Sequence, residues 1–218
     1  MLRIDEKLKN LVPDCMVGVV EAEVKVKESS EELVKLLNEE CELLTNSIKL
    51  EDLSSEETID ANRKAYKACG KNPSRYRTSS EALIRRVLQG KGIYFVNNVV
   101  DINNLISMKT KFSIGSYNTE NIGENVVFTV GEEGDEYKGI GKDMVNVANM
   151  PVLADEEGKF GSPTSDSRRA AIDENAEKIM MCLFSFSGKD KLESGMNEIK
   201  GLLEKYADGK NIKTNIVE

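Results

Sequence analysis

The chain repeats one four-residue signal three times: Ser29-x-x-Glu32, Ser54-x-x-Glu57 and Thr78-x-x-Glu81. In such a capping box the hydroxyl accepts from the N–H three residues on, and the glutamate reaches back to the first N–H. Behind each box, apolar residues recur at three- and four-residue spacing, the period of a helix with one buried face. Leu33, Leu36, Leu37, Cys41 and Leu44 predict a helix over 30–46. Ile59, Ala65, Tyr66 and Cys69 predict a second, stopped by Gly70 and the Asn72-Pro73 turn. Leu83, Ile84, Val87 and Leu88 predict a third, ending at Gly90, with Glu81 four residues ahead of Arg85.

Elsewhere the period is two. Residues 21–27 alternate charged and apolar side chains, which predicts a half-buried strand beginning near Met16. Residues 126–130, 179–186 and 211–217 read as further strands, and the glycines of 131–141 as a turn-rich hairpin region. Leu192, Met196, Ile199, Leu203 and Tyr206 form a last helical stripe. Strands and helices do not alternate regularly, so the expected class is α+β rather than a wound parallel sheet. We expect one domain over 1–218: a strand and helical extension to residue 70, a core over 71–190, and a closing helix and strand over 191–218. The longest uninterrupted apolar run, 179–184, is six residues. A membrane span needs about 20. The first ten residues lack the apolar centre of a signal peptide, so a cytoplasmic protein is expected.

Histidine is absent, which excludes a Ser-His-Asp triad, a Cys-His pair and any imidazole ligand or base. Cys15, Cys41, Cys69 and Cys182 are far apart and form no CxxC pair, so they read as reduced core thiols. Neither metal nor cofactor is expected.

The net charge is −8, yet residues 71–91 carry six basic side chains and one acidic, net +5. There Arg75 and Arg77 flank Tyr76 in a loop that leads into a helix carrying Arg85 and Arg86. Guanidinium forks hold phosphate in bidentate fashion, and a helix N-terminus adds free N–H donors. The same residues also fit a solvated loop and an ordinary surface helix. A second unusual stretch packs Asn97, Asn98, Asp101, Asn103 and Asn104 among Val99, Val100, Ile102 and Leu105. Asn and Asp fit poorly inside regular elements, and buried amides need partners, either backbone turns or a polar ligand. A third, 154–169, places Asp166, Arg168 and Arg169 at the end of a Ser-rich loop. The twelve Tyr and Phe residues show no platform for stacking unpaired bases.

The run from Asn72-Pro73-Ser74-Arg75-Tyr76-Arg77 to Arg86, then Asn97-Asn98-Val99-Val100-Asp101-Ile102-Asn103-Asn104, Phe112-Ser113-Ile114-Gly115-Ser116-Tyr117-Asn118 and Val152-Leu153-Ala154-Asp155-Glu156, resembles a known family. It is similar to stand-alone relatives of the tRNA-binding and editing domain, the fused third and fourth modules, of the phenylalanyl-tRNA synthetase β chain. The second segment resembles that synthetase's NNVVDVTNY-type segment, with Asn103 in place of its threonine. The third lies where the synthetase has a GQPLHAFD-type segment, with Gly115 at the position of its pocket histidine. The resemblance covers about residues 72–190. It implies an α+β fold with a mixed or antiparallel, sandwich-like sheet and packed helices.

Carried over by position, the resemblance implies that Asn98, Asn103, Asn104 and Gly115 line a pocket, and Asp101, Ser116, Asp155 and Arg168 complete the expected substrate-binding set. It also implies RNA contacts from Arg75, Arg77, Arg85 and Arg86. No residue is assigned as catalytic; Asp101 and Asp155 are open both as bases and as turn ligands. Two functions follow as expectations. One is a hydrolase that removes a wrong amino acid from aminoacyl-tRNA. The other is a non-catalytic module that binds tRNA, an amino acid or a related small molecule. A small-molecule enzyme on the same fold is a third reading. No ATP-using or anticodon-reading motif is present, so charging of tRNA is not expected. Nor is contact with DNA or membrane.

Overall fold

The apolar run 179–184 is a strand with both faces buried. The computed structural model of the protein describes residues 1–141 and 144–218. In it, β9 (Lys178–Ser185) lies inside a four-stranded antiparallel sheet with β10 (Lys210–Val217), β2 (Met16–Glu23) and β3 (Ser113–Asn118), in the order β10-β2-β9-β3. Successive side chains of a strand point to opposite faces. Ile179, Met181 and Leu183 therefore enter one core with Val20, Ala22 and Ile114. Met180, Cys182 and Phe184 enter another with Val17, Val19 and Tyr117. The strand predicted over 21–27 starts at Met16 as expected but ends at Glu23, while the Val24 N–H still donates to the Glu177 carbonyl at 2.9 Å.

The first core is closed by helices: α2 (Glu31–Ser47), α4 (Ser79–Leu88), α5 (Asn98–Thr110) and α6 (Leu192–Tyr206). The second is closed by another four-stranded sheet, β1 (Arg3–Ile4), β4 (Val127–Val130), β7 (Pro151–Asp155) and β8 (Gly158–Gly161). There β1 runs parallel to β4 and the other pairs are antiparallel. The result is a layer of helices, a sheet, and a second sheet stacked on the first. This is the mixed, sandwich-like α+β arrangement that was expected. Helices α1 (Glu6–Leu11) and α3 (Glu57–Ala68) flank it, and β5 (Glu136–Lys138), inside the region 131–141 predicted as a hairpin, pairs with β6 (Met144–Asn146) just beyond it. Lys142 and Asp143, between the two strands in sequence, lie outside the described residues. No described helix is long and apolar enough to cross a membrane.

The three predicted helices form within a few residues of their expected bounds, but none of the three capping boxes does. The N-cap of α2 is Ser30, one residue later than read, with its Oγ accepting from the Leu33 N–H at 3.3 Å. Ser54 lies in a 3-10 turn before α3, whose N-cap is Glu56. Thr78 stands at the N-cap position of α4 but its hydroxyl makes no capping hydrogen bond, and Glu81 turns away into the interior. A local signal marks the helix start, while the tertiary partner decides where the side chain goes.

The asparagine-rich stretch is helix α5, which sequence reasoning did not expect. The polar residues sit where a helix start uses them. Asn97 is the N-cap and accepts from the Val100 N–H at 2.9 Å, while Asn98 and Asp101 occupy the first turn and bond outside the helix. Besides α5, the elements β1, α1, β3, β6, β7 and β8 were not read from the chain's periodicity.

Candidate functional site

Helix α4 and the turn before it form one wall of an open cleft of about 700 Å³. Arg75, Arg77, Arg85 and Arg86 all line it, with Tyr76 and Lys91. These are the four arginines the sequence singled out. They meet because the 72–77 turn brings Arg75 and Arg77 to the start of α4, and Arg85 and Arg86 follow on the same helix. The opposite wall holds Met144, Val145, Asn146 and Met150, and the floor holds Thr164 and Ser165.

One buried carboxylate organises the wall. Glu81 is 1% exposed and accepts from Arg63 Nη1 at 3.0 and 3.1 Å and from Arg85 Nε at 2.9 Å. Arg77 Nε stands 3.7 Å from the same carboxylate. Three guanidinium groups thus share one negative charge. Removing it by Glu81→Ala leaves Arg63 and Arg85 partly buried without their partner. Breaking a buried pair costs about 3–5 kcal/mol. Both arginines are about a quarter exposed, which screens part of that. The expected loss is about 2 kcal/mol in urea unfolding, and a variant as stable as the parent would contradict this role.

The remaining cations of the wall are held differently. Arg86 stacks on the Tyr94 ring, 4.0 Å from its centroid, and Nη2 donates to the Lys91 carbonyl at 3.2 Å. Its buried Nε–H finds no acceptor among the described residues. Arg75 lies 5.5 Å and Lys71 Nζ 4.2 Å from the Tyr76 ring. Lys71 is buried and donates to Asn146 Oδ1 at 2.9 Å and to the Ala148 carbonyl at 2.6 Å. Burial first, and Arg75 second, lower its pKa from the usual lysine range. Neither Arg75 nor Arg86 has a carboxylate partner among the described residues.

Beneath the floor lies a tier of buried hydroxyls. The Tyr66 hydroxyl is 2.7 Å from Thr164 Oγ1. Tyr137 donates to the Ser165 carbonyl and also bonds Ser162 Oγ. Deeper still, Tyr117 donates to Asp166 Oδ1 at 2.7 Å. Burial pushes the Asp166 carboxyl up to about 7, against the lowering effect of the Tyr117 and Ser162 hydrogen bonds.

The eight residues of the predicted substrate set lie elsewhere, and none lines the cleft. Asn98 stitches three segments together: Oδ1 accepts from the Lys27 N–H at 3.0 Å, and Nδ2 donates to the carbonyls of Lys25 at 3.0 Å and Tyr206 at 2.9 Å. Asp101 accepts from Ser29 Oγ at 2.6 Å and the Val96 N–H at 3.0 Å, and burial raises its pKa. Asn103 and Ser116 do meet, with Ser116 Oγ donating to Asn103 Oδ1 at 2.8 Å, and Asn104 lies beside them. Gly115 is buried with the Tyr117 hydroxyl over it, 1.9 Å from where a Cβ would stand.

Asp155 takes a bidentate pair from Arg169, at 2.8 and 2.9 Å, and the N–H groups of Gly123 and Glu157. Burial raises its pKa, but these bonds outweigh burial and hold it low. Its partner is Arg169; Arg168 is exposed, and only its backbone N–H is engaged, with the Lys138 carbonyl at 2.8 Å.

Sequence reasoning missed the Arg63–Glu81 pair, the buried Lys71 and the tyrosine tier, which join segments far apart in the chain. It also missed two exposed rings: Tyr94, which is 70% exposed and stacks with Arg86, and Phe95, which is 47% exposed. Their place in the apolar run 93–96 gave no sign that the run is a surface loop.

A comparison with curated proteins gave no match. Among solved structures, the chain is similar to an N-terminal fragment of the phenylalanyl-tRNA synthetase β-subunit from Pyrococcus horikoshii. The TM-score is 0.50 and the identity 13%, over all of this chain and 54% of the other. The chain therefore spans about half the length of that fragment, and at this identity the likeness is one of fold. Residues 61–208, which hold the arginine wall, the tyrosine tier, α5, β3 and β9, match the B3/4 domain family. With more than half of its length inside that match, and with a phenylalanyl-tRNA synthetase β-like fold, the chain belongs to the B3/4 domain family.

Proposed function

We propose that this chain binds RNA, the acceptor end of a tRNA, by gripping its phosphates in the arginine cleft, and that it does so as a binding module. The observation that carries this is the gathering of Arg75, Arg77, Arg85 and Arg86, with Lys91, around one cleft of an otherwise acidic protein. Arginine is the side chain best matched to phosphate, because its planar fork of donors meets two phosphate oxygens at once. That the solved relative is a tRNA synthetase fragment favours tRNA among RNAs.

The binding reading is favoured over hydrolysis by what the amides are doing. Asn98 and Asn103, which would orient an aminoacyl ester, are hydrogen bonded to the protein itself. The space beside Gly115 is filled by Tyr117. Arg75→Ala with Arg86→Ala removes two cations that no described carboxylate neutralises. The double variant is expected to bind tRNA about 10- to 100-fold more weakly while unfolding at the same urea concentration. Equal affinity would refute the cleft. Release of the amino acid from aminoacyl-tRNA faster than background would move the assignment from binding to editing.

A further inference from the structure

We propose that Tyr94 and Phe95 form a base-stacking platform on the rim of the arginine cleft, so that the RNA segment held there is unpaired. This rests on the RNA-binding reading above and names the kind of RNA the cleft takes. Of the twelve aromatic rings in the chain, these two are the exposed ones; the large rings Tyr66, Phe112, Tyr117, Phe128, Phe160 and Phe184 are fully buried. Exposed large apolar side chains at consecutive positions are costly to leave in water, and the next residue, Val96, is 60% exposed as well.

The segment that carries them is held in place. At one end Arg86 donates to the Lys91 carbonyl at 3.2 Å. At the other the Val96 N–H donates to Asp101 Oδ1 at 3.0 Å. Tyr94 and Phe95 lie between these two ties, ahead of the α5 N-cap at Asn97.

The link to the cleft is Arg86. It lines the cleft, and its guanidinium stacks on the Tyr94 ring at 4.0 Å from the centroid. One arginine thus sets a phosphate donor and an aromatic face within a side chain's reach of each other. Phosphate and base of a single nucleotide are spaced on that scale, and basic grooves flanked by aromatic rings are how proteins hold single strands. A paired helix keeps its bases stacked inside and offers the rings nothing. The positive wall matches a polyanion, whereas an apolar protein partner would leave Arg86 and Lys91 unanswered.

The test uses the full chain and two probes followed by anisotropy: fluorescein-labelled oligoadenylate, and a blunt-ended RNA hairpin whose strands are joined by a non-nucleotide linker, so that none of its bases is unpaired. Tyr94→Ala and Phe95→Ala are each expected to weaken oligoadenylate binding roughly 10-fold, the loss of one base stack. Hairpin affinity and the salt dependence should stay unchanged, and Tyr94→Phe should bind as the parent does. Both rings are exposed, so the variants should fold. If the parent binds oligoadenylate in a salt-dependent way and both alanine variants bind it equally well, the platform is refuted while the cleft stands. Equal weakening for the hairpin also refutes it, as does self-association that the substitutions abolish without affecting RNA. If the parent binds neither probe, the RNA-binding reading falls and the platform falls with it.

Discussion

Gly115→Ala is expected to lower the stability of the fold by about 2–6 kcal/mol. A Cβ at that position would stand 1.9 Å from the Tyr117 hydroxyl oxygen and 2.4 Å from Cζ. The ring has nowhere to go. Gly161 on β8 presses its other side, where a Cβ would stand 2.4 Å from the same oxygen. Phe160 meets it edge-on at 5.2 Å. Overpacking a close-packed core costs about 1–3 kcal/mol, and displacing the ring also strips the half-buried Asp166 of its donor, about 1–3 kcal/mol more. The same substitution at Gly201, exposed on α6 with nothing within 4 Å, should instead stabilise by about 0.5–1 kcal/mol through helix propensity. Urea unfolding of the two variants measures both. A Gly115→Ala protein less than about 1 kcal/mol below the parent, short of the smallest expected loss of about 2 kcal/mol, would show that Tyr117 is not locked between the two glycines.

The second large effect is one of pH. In the unfolded chain the Asp166 carboxyl ionises near 3.8; in the fold, burial keeps its proton on up to about 7. Between these values the folded state binds the extra proton, so this residue's contribution favours folding less and less as pH rises from about 4 to about 7. Above that window the carboxylate is ionised in both states and the full penalty, on the order of 4 kcal/mol, is present. Asp166→Asn keeps an acceptor for the Tyr117 hydroxyl and cannot ionise. Its stability relative to the parent should therefore climb across pH 4 to 7 and level off above. A difference that stays flat across the window would mean that Asp166 is charged in the fold throughout.

Where the chain forms helices and strands was legible because burial writes itself as period. The run 179–184 is apolar at every position since β9 is covered on both faces, and the Leu192, Met196, Ile199, Leu203 stripe is one face of α6. What a polar side chain binds was not legible. Glu81 fits a capping box in sequence, yet it is drawn inward by Arg63, eighteen residues earlier on α3. Asn98 looked like a ligand-binding amide, yet it joins residues 25, 27 and 206. The arginines of the cleft were legible because they crowd into one short basic segment, which a net charge of −8 makes conspicuous. The Tyr94–Phe95 pair was not, since four apolar residues in a row look the same whether they enter a core or ring a cleft.

The most direct test of RNA binding by the arginine cleft is the salt dependence of tRNA affinity for the parent and for Arg75→Ala with Arg86→Ala. Each phosphate engaged releases counterions, and log K falls with log salt by about 0.7–0.9 per contact. Four cleft arginines, two of them sharing Glu81, predict a slope of about −2 to −3 for the parent. The double variant should lose between one and two units of that slope. A parent slope near zero, or a slope the two substitutions leave unchanged, would contradict phosphate binding in this cleft.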